Sequence, residues 1–296
     1  MNTARVGIVG LGIMGAEIAR HLLAGGVGVM GYDPDATRLA QLVALGGTAL
    51  DSAAAVARQS SIVFASLPSA QALDTTVTAL VTAAKAGQIV VETSTLSLAA
   101  KQAAYEALTA VGCTLLDCPL SGTGSQARNK DLVVFASGDQ SAYDRVRPLL
   151  AVFSRAQVYL GRFGSASTMK FLANHLVAIH NAAAAEMMAL AGAAGLDLSL
   201  VLRTLEDSAG TSRMLQVRGP AMVRGDYSAP TTRIDTFMKD LGIIGNFAAE
   251  LRCPTPVFDA ATKLYGEAMA QGLHASDTAA ICSVLQALAA AQARPA

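Results

Sequence analysis

Tryptophan is absent from the 296 residues of the chain, and only 5% of the residues are aromatic. Charged residues make up 15%, and the 22 basic residues balance the 22 acidic ones without forming a basic run. Proteins that bind nucleic acid usually carry a basic face, often interleaved with aromatic side chains. We therefore expect no nucleic-acid partner.

Cysteine is also scarce, and Cys113, Cys118, Cys253 and Cys282 lack the spacing of a metal site or a redox pair. We expect each to be a small buried hydrophobic residue in a reduced, intracellular protein that holds no metal. No run of about 20 residues is apolar without interruption, which argues against a membrane span. The chain enters a predicted strand at once, which leaves no room for a signal peptide. These absences predict a soluble, cytoplasmic protein.

What the chain does have is hydrophobic residues, at 52%, in two different patterns. In the first half, short β-branched runs alternate with Ala-rich amphipathic runs such as 35–45 and 98–111. The predicted strands are 5–10, 27–32, 61–67, 88–94, 113–118, 131–137 and 156–160. This alternation predicts an α/β Rossmann-like fold with a doubly wound parallel sheet.

The pattern changes after Gly164, where only helices separated by short turns follow. This change predicts two domains. Residues 1–162 would form the dinucleotide-binding Rossmann-like domain, and residues 163–296 an all-helical domain.

The strongest local motif is 10-GLGIMG-15, which follows the first predicted strand and opens a helix. Gly10, Gly12 and Gly15 would permit a tight turn, a close approach to a pyrophosphate and close helix–strand packing. The helix N-terminus, with Ile13 and Met14 in its first turn, would supply N–H groups to the phosphates. Such a motif also occurs in purely structural turns, but the order of strand, turn and helix favours a dinucleotide site.

Asp33 ends the second predicted strand, 18 residues after Gly15. A carboxylate there can accept the ribose hydroxyls of NAD and repels the additional phosphate of NADP. Asp33 is equally typical of a residue that caps a turn before proline. Arg38 is near enough to weaken the discrimination, so the sequence favours NAD without excluding NADP.

The segment 165-SASTMKFLANHL-176 places a lysine in an otherwise apolar helix. Helical residues advance by about 100° each, so Lys170, Asn174 and Asn181 share one stripe. A solvent-facing stripe is the alternative, but the apolar neighbours predict a covered helix: Met169, Phe171, Leu172, Leu176 and Val177. A lysine in a partly dry cleft has a lowered pKa, which suits a general acid or base. Asn174 would then orient the substrate.

Two further loops follow predicted strands. In one, Ser121, Gly122 and Thr123 offer hydroxyls and an approachable backbone to a small carboxylate. In the other, Ser94 and Thr95 would lie near the nicotinamide side of a cofactor. Both loops are also typical of turns and helix caps. Their position at strand ends is nevertheless where doubly wound sheets bind ligands.

Taken together, the motifs resemble the β-hydroxyacid dehydrogenase family, which includes 3-hydroxyisobutyrate dehydrogenases and tartronate semialdehyde reductases. The resemblance runs nearly end to end through 10-GLGIMG-15, 67-LP-68, 92-ETSTLS-97, 117-DCPLSGTG-124, 161-GRFGSASTMKFLAN-174 and 239-KDLG-242. It implies a Rossmann-like domain followed by a helical domain, with NAD(P)-dependent hydride transfer on a small hydroxy acid or its semialdehyde. It also implies a homodimer or homotetramer assembled through the helical domain.

The resemblance also implies a role for each matching residue. Lys170 corresponds to the catalytic lysine and Asn174 to an active-site asparagine, while Ser121 and Gly122 fall on the loop for the substrate carboxylate. The positions expected at the cofactor are Leu67, Pro68, Thr95 and Lys239, and the acidic neighbour near the substrate is Asp240.

Several positions depart from the family pattern. Thr123 replaces a glycine of the substrate loop, and Thr232 stands where an aromatic residue is common. Ala166 and Ala173 replace a glycine and an asparagine around the lysine motif, and Arg213 is an unusual cation. These departures predict a more polar substrate pocket than 3-hydroxyisobutyrate needs, suited to a hydroxylated sugar acid or its semialdehyde.

Three other functions share parts of the pattern. An imine reductase has this architecture but uses a different proton donor, so Lys170 argues against it. A decarboxylating 6-phosphogluconate-type enzyme would be longer in its familiar form and would carry a phosphate-binding cluster. A dinucleotide-sensing module without turnover would not need Lys170, Asn174 and Ser121 together.

Overall fold

The computed structural model describes residues 5–292, which divide into two compact units after Lys170. The strands of the first unit are β1 (Arg5–Val9), β2 (Gly28–Tyr32), β3 (Thr48–Ala49), β4 (Ile62–Ala65), β5 (Ile89–Glu92), β6 (Thr114–Asp117), β7 (Leu120–Ser121), β8 (Val133–Ala136) and β9 (Ala156–Tyr159). Its helices are α1 (Ile13–Ala24), α2 (Ala36–Ala44), α3 (Ala53–Gln59), α4 (Ala70–Val81), α5 (Leu98–Ala110), α6 (Gly124–Arg128) and α7 (Gln140–Phe153).

Six strands form one parallel sheet in the order β3-β2-β1-β4-β5-β6. The chain runs outward from β1 to β3, then returns to β4 and runs outward the other way. This reversal opens a crevice at the carboxyl ends of β1 and β4, where such sheets bind ligands. Helices cover both faces, because Phe64 packs into one core while Val63 and Ala65 pack into the other. The predicted α/β Rossmann-like fold is confirmed.

Two of the predicted strands, 131–137 and 156–160, belong to a second sheet and not to the main one. They become β8 and β9, and β7 pairs with β8 in the antiparallel sense. An isolated bridge between Asp117 and Ser137 connects this sheet to the end of β6. The strands β3 and β7 were not predicted, because two residues are too few to show an alternating pattern.

The predicted helices 35–45 and 98–111 correspond closely to α2 and α5, because local signals set their ends. Asp35 and Ser97 precede these helices, and each side chain accepts a backbone N–H of the first turn. Ser52, Ser69 and Asp139 cap α3, α4 and α7 in the same way. Such caps satisfy N–H groups that have no partner within the helix.

The second unit consists of helices, apart from one isolated bridge between Arg233 and Asp277, as far as residues 171–292 are concerned. Its helices are the greater part of α8 (Ser165–Ala193), then α9 (Leu198–Glu206), α10 (Arg213–Arg224), α11 (Ile234–Glu250), α12 (Pro256–Ala270) and α13 (Ile281–Gln292). The structural division lies beyond the predicted boundary at 162/163 because the first turn of α8 packs within the first unit. That boundary stays a prediction, and the outermost residues of both predicted domains lie outside the described residues.

The polar stripe of α8 is buried, as predicted. The exposed fraction is 7% for Lys170, 8% for Asn174 and 0% for Asn181. The expectation that the apolar neighbours of Lys170 are covered is wrong in part, because Leu172 and Leu176 are 52% and 51% exposed. The apolar sequence of this helix therefore does not mean that the helix is fully covered within the chain.

The length and hydropathy of α8 would also suit a membrane span, but core helices of soluble proteins share these properties. About 44% of its most apolar window is buried inside the structure. Cys113, Cys118 and Cys282 are buried as predicted, whereas Cys253 is exposed in the turn after α11. Between residues 5 and 292, no group of three or more His, Cys, Asp or Glu side chains is arranged to hold a metal ion.

We expect Tyr265→Phe to destabilise the second unit. The Tyr265 hydroxyl accepts a hydrogen bond of 2.8 Å from Asn181 Nδ2, and both side chains are fully buried. Leaving a buried amide short of an acceptor costs about 1–3 kcal/mol, so the urea midpoint should fall. Tyr105→Phe, on a half-buried ring of the first unit, is the control and should change the midpoint little. An unchanged midpoint for Tyr265→Phe would show that this hydrogen bond contributes no net stability.

Candidate functional site

The glycines of the 10–15 turn serve three different purposes. Gly10 has φ of +89°, and a Cβ there would lie 2.2 Å from the Ser66 carbonyl oxygen. A Cβ on Gly15 would lie 1.9 Å from the Gly10 carbonyl oxygen. The nearest atom to a Cβ on Gly12 would be Arg38 Nη1, at 3.9 Å. Packing therefore requires Gly10 and Gly15, while Gly12 keeps open the space through which a pyrophosphate approaches the backbone.

The N-terminus of α1 is suited to an anion. Gly12 is its N-cap residue, so no side chain caps the helix, and the first turn contains no acidic residue. Ile13 is largely exposed, whereas Met14 packs against the core. Uncapped N–H groups and the positive end of the helix dipole attract phosphate. The turn and this helix therefore fit the diphosphate of a dinucleotide.

Asp33 is almost completely buried at the end of β2, and its carboxylate is already engaged. The Leu11 N–H donates to Oδ2 at 2.7 Å, and the Asp35 N–H donates to Oδ1 at 2.9 Å. Arg38 Nη1 lies 3.3 Å from Oδ2 and Arg38 Nε lies 3.4 Å from Asp35 Oδ2. The turn-capping role of Asp33 is thus real, and it coexists with acceptor capacity on both oxygens, since each carboxylate oxygen has two lone pairs.

The ends of β4 and β5 are tied to each other. Ser94 Oγ accepts a hydrogen bond of 2.7 Å from the Leu67 N–H, and Thr93 Oγ1 donates to the Ala65 carbonyl at 2.9 Å. The Ser94 hydroxyl is therefore occupied in holding the strand ends. Thr95, half-buried, and Pro68, exposed, are the neighbouring positions on these two ends.

Ser121 and Gly122 lie at the end of the short strand β7. Gly122 has φ of +140°, and a Cβ there would be 2.6 Å from Leu132 Cδ2. Only glycine suits both constraints. Its backbone is consequently bare, which is what a loop that binds a carboxylate requires.

Thr123 caps a helix, which is the alternative to a substrate contact that the sequence left open for this loop. Its Oγ1 accepts from the Gln126 N–H at 3.4 Å, and its own N–H donates to Gln126 Oε1 at 3.0 Å. This reciprocal capping box begins α6. The added hydroxyl is thus explained by the helix start, and Gly124 of this turn comes close to Ile13, since a Cβ on Gly124 would lie 2.8 Å from Ile13 Cγ2.

A buried charge cluster lies beside these loops, and the sequence analysis missed it. Lys101 Nζ is 2.6 Å from Glu92 Oε2 and 2.7 Å from Asp117 Oδ1, and all three side chains are fully buried. Burial alone would lower the pKa of Lys101, but the carboxylates of Asp117 and Glu92 outweigh it and raise that pKa above its ordinary value. An indicator was present in the sequence, because Glu92 and Asp117 each end an apolar strand.

The cluster is connected to the first turn of α8. Asp117 Oδ2 accepts from the Ser167 N–H at 2.8 Å and from Ser137 Oγ at 3.2 Å, and Asp117 Oδ1 accepts from Ser167 Oγ at 2.8 Å. The Ala166 N–H donates to Ser137 Oγ at 3.0 Å. Lys170 follows within one helical turn, so the cluster fixes the segment that carries it.

In the second unit, the structure brings three of the predicted residues together. Asn174 Nδ2 donates to Asp240 Oδ2 at 2.9 Å, and Lys239 Nζ lies 3.5 Å from Asp240 Oδ1. Asn174 also follows Lys170 by four residues on α8, which places the two on the same side of this helix. Asp240 therefore orients the amide of Asn174.

Arg213 and Thr232, two of the departures from the family pattern, contact other residues of the second unit. Arg213 is exposed at the start of α10, where Nη1 contacts Gln216 Oε1 of the same helix at 3.5 Å. The Thr232 N–H contacts Asp277 Oδ2 at 3.4 Å. The more polar substrate pocket stays a prediction, because both contacts are made to other side chains of the second unit.

Two family models together match nearly the whole chain. The NAD-binding domain of 6-phosphogluconate dehydrogenase matches residues 5–161. The NAD-binding domain of NADP-dependent 3-hydroxyisobutyrate dehydrogenase matches residues 164–285.

Individual relatives match over most of their length as well. The L-threonate dehydrogenase of Escherichia coli K12 is 31% identical over 288 residues, which is 96% of this chain and 95% of the relative. The crystal structure of 3-hydroxyisobutyrate dehydrogenase from Salmonella typhimurium is 33% identical with a TM-score of 0.85, over 95% of this chain and 99% of that one. Glyoxylate/succinic semialdehyde reductase 2 of Arabidopsis thaliana is 27% identical over 100% of this chain and 82% of its own.

We expect Gly12→Ala to weaken cofactor binding and Gly15→Ala to destabilise the fold. The Gly12 methyl group meets open space, so stability should change little while the dissociation constant for NADH rises about tenfold, which corresponds to about 1.4 kcal/mol. The methyl group introduced at position 15 would meet the Gly10 carbonyl oxygen, so the free energy of unfolding should fall by about 1–3 kcal/mol. Gly245→Ala, in an open position of α11, is the control. NADH fluorescence titration measures the dissociation constant, and thermal unfolding measures the stability. If both variants changed the two quantities equally, the separate roles of Gly12 in binding and Gly15 in packing would be contradicted.

Proposed function

Because the chain belongs to the β-hydroxyacid dehydrogenase family, we propose that it oxidises a small β-hydroxy acid, or reduces the matching semialdehyde, with NAD(P). The observation that carries this proposal is Lys170, a buried lysine on α8 with Asn174 one turn later on the same side. NAD(P), when bound, accepts a hydride from the substrate carbon or returns it.

Lys170 is the proposed general acid and base. In oxidation, its neutral amine takes the proton of the substrate hydroxyl as that carbon loses its hydride. In reduction, its ammonium form gives a proton to the carbonyl oxygen. Proton transfer by a positioned group of this kind contributes about 10²–10⁴-fold to a rate.

The substrate is held by groups with complementary hydrogen-bonding capacity. The bare backbone at Gly122 and the hydroxyl of Ser121 suit the carboxylate. Asn174 suits the hydroxyl, because its Nδ2 is directed by Asp240 and its Oδ1 remains an acceptor. These assignments, with that of Thr123 beside the loop, derive from the family resemblance and from local geometry.

The cofactor contacts follow the same reasoning. Gly10, Gly12 and Gly15, with the first-turn residues Ile13 and Met14, suit the diphosphate. Asp33 suits the adenosine ribose. The proposed contacts on the nicotinamide side are Leu67, Pro68 and Thr95 at the strand ends, with Lys239 assigned from the resemblance alone.

For the substrate, we favour a small polyhydroxy acid over 3-hydroxyisobutyrate. L-Threonate dehydrogenases are among the relatives that match across nearly the whole chain. Threonate carries the β-hydroxyl and carboxylate that the proposed mechanism needs, together with further hydroxyls. The polar replacement at Thr232 agrees with such a substrate.

For the cofactor, we propose that NAD is preferred and NADP accepted. Asp33 disfavours the 2′-phosphate of NADP, but Arg38 lies beside it and neutralises part of its charge. Arg38 is 46% exposed, which leaves its guanidinium accessible to a phosphate. Two opposite charges at one position weaken the discrimination that either would produce alone.

Assembly and location are proposals as well. Leu172, Leu176 and Leu190 expose much of their side chains on α8, which supports a homodimer or homotetramer formed through the helical unit. All four cysteines are free thiols, which supports a cytoplasmic location. The absence of nucleic-acid and membrane partners stays a prediction.

We expect Lys170→Met to lower kcat by about 10²–10⁴-fold and to leave NADH binding intact, because the proposed cofactor contacts do not include Lys170. The assay follows absorbance at 340 nm with 3-hydroxyisobutyrate, glycerate, 4-hydroxybutyrate, L-threonate and erythronate. Lys85→Met removes an exposed lysine of the same unit and should retain wild-type rates.

Each other result has a clear meaning. Turnover of the wild type that survives in Lys170→Met would remove the assigned role of Lys170. A preference for 3-hydroxyisobutyrate over every polyhydroxy acid would refute the proposed substrate class. Tight NADH binding without turnover of any of these acids would contradict the proposed function itself.

We expect Arg38→Ala to raise the KM for NADP about 10- to 100-fold, since a charge-assisted hydrogen bond is worth about 1.5–3 kcal/mol. The KM for NAD should change much less, because Asp33 keeps its two backbone donors. Arg58→Ala, at an exposed position at the end of α3, is the matched control. An equal rise of both KM values would show that Arg38 supports the turn without selecting the cofactor.

A further inference from the structure

We propose that the buried cluster of Glu92, Lys101 and Asp117 positions the start of α8, and thereby Lys170, for the reaction. Lys101 is then a positioning residue that acts through Asp117 and Glu92, because its side chain is fully buried against them. This inference depends on the proposed function for its kinetic consequence. Its structural part, the anchoring of α8, stands independently of any substrate.

The cluster carries more negative than positive charge. Two carboxylates and one ammonium group share a site with 0% exposure, so the ionised cluster has an excess of one negative charge. An uncompensated buried charge is strongly unfavourable. The cluster must therefore find positive charge or N–H donors elsewhere.

The compensation comes from the N-terminus of α8. Asp117 accepts the backbone N–H of Ser167, two residues into the helix, and so acts as a capping group from 50 positions away in sequence. A helix N-terminus carries roughly half a positive elementary charge. The cluster and the helix end thus stabilise each other, which ties the position of the helix to the cluster.

The same cluster also reaches the cofactor side. Glu92 Oε1 accepts the Ser94 N–H at 2.9 Å, and the Ser94 hydroxyl in turn accepts the Leu67 N–H. One buried network therefore joins the ends of β4, β5 and β6 to the first turn of α8. Lys101 connects the two branches of this network, because its ammonium group contacts both Glu92 and Asp117.

The consequence for Lys170 follows from helix stiffness. Ser167 precedes Lys170 by three residues, less than one turn, so any displacement of the anchor is passed to the lysine. A misplacement of about 1 Å in a reacting group costs about 10²-fold in rate. Buried ion pairs often add no net stability over apolar packing, so geometric control is the better explanation of this cluster.

The first test measures the anchor without any substrate. Amide hydrogen exchange by mass spectrometry is compared for the wild type, Lys101→Met, Ser167→Ala and the control Lys85→Met. We expect exchange of the amides at Ala166 and Ser167 to become about tenfold faster in the first two variants. The peptide that covers β1 and the glycine turn should exchange as in the wild type.

The second test measures the consequence for turnover. We expect kcat of Lys101→Met to fall about 10²-fold and that of Ser167→Ala to fall less, with the KM for NAD unchanged. With substrate deuterated at the reacting carbon, the isotope effect on kcat should rise because hydride transfer becomes the slow step. A variant that is merely less stable loses active enzyme but keeps the wild-type isotope effect.

The outcomes separate this inference from the proposed function. Wild-type exchange at the start of α8 in folded Lys101→Met and Ser167→Ala would overturn the anchoring. Faster exchange with unchanged kcat and isotope effect would overturn the link to Lys170. If Lys101→Met does not fold, Ser167→Ala decides, since it removes one hydrogen bond and no charge. An inactive wild type would refute the proposed function, and the exchange result would still stand.

Discussion

The parallel sheet imposes the constraint on which the first unit depends: the carboxyl ends of its strands all meet at one edge. The glycine turn follows β1, Asp33 follows β2, Leu67 and Pro68 follow β4, and Thr95 follows β5. Residues far apart in sequence thereby form one set of loops, and the chemistry of the unit is concentrated at that edge.

Two helix N-termini in this unit are used in opposite ways. At α1, a glycine N-cap and a first turn without acids leave the N–H groups available to an external anion. At α8, the buried carboxylate of Asp117 accepts the backbone N–H of Ser167 in the first turn. The same backbone dipole therefore serves ligand binding at one helix and internal positioning at the other. The difference arises because a glycine precedes α1, whereas a buried carboxylate lies beside the start of α8.

Local signals explain why much of the architecture could be predicted. Strand periodicity, N-cap residues and the glycine spacing act over a few residues, so α2, α5 and the turn at Gly10 were found close to their true positions. Partners across long sequence distances were missed, as with Lys101, which looks like an ordinary polar residue of an amphipathic helix. For the loop that contains Thr123, the sequence left a substrate contact and a helix cap open, because a hydroxyl group before a helix suits both; the structure shows the cap.

The sequence alone determined the two-part organisation, the dinucleotide turn and the buried stripe of Lys170, Asn174 and Asn181, because each depends on spacing within one element. Only the tertiary structure decided which charges meet. Glu92, Lys101 and Asp117 come from β5, α5 and β6, and Asn174 meets Asp240 across 66 residues. Such pairings depend on how elements pack. No local pattern encodes them, since a buried and an exposed lysine can occupy identical positions in a helical repeat.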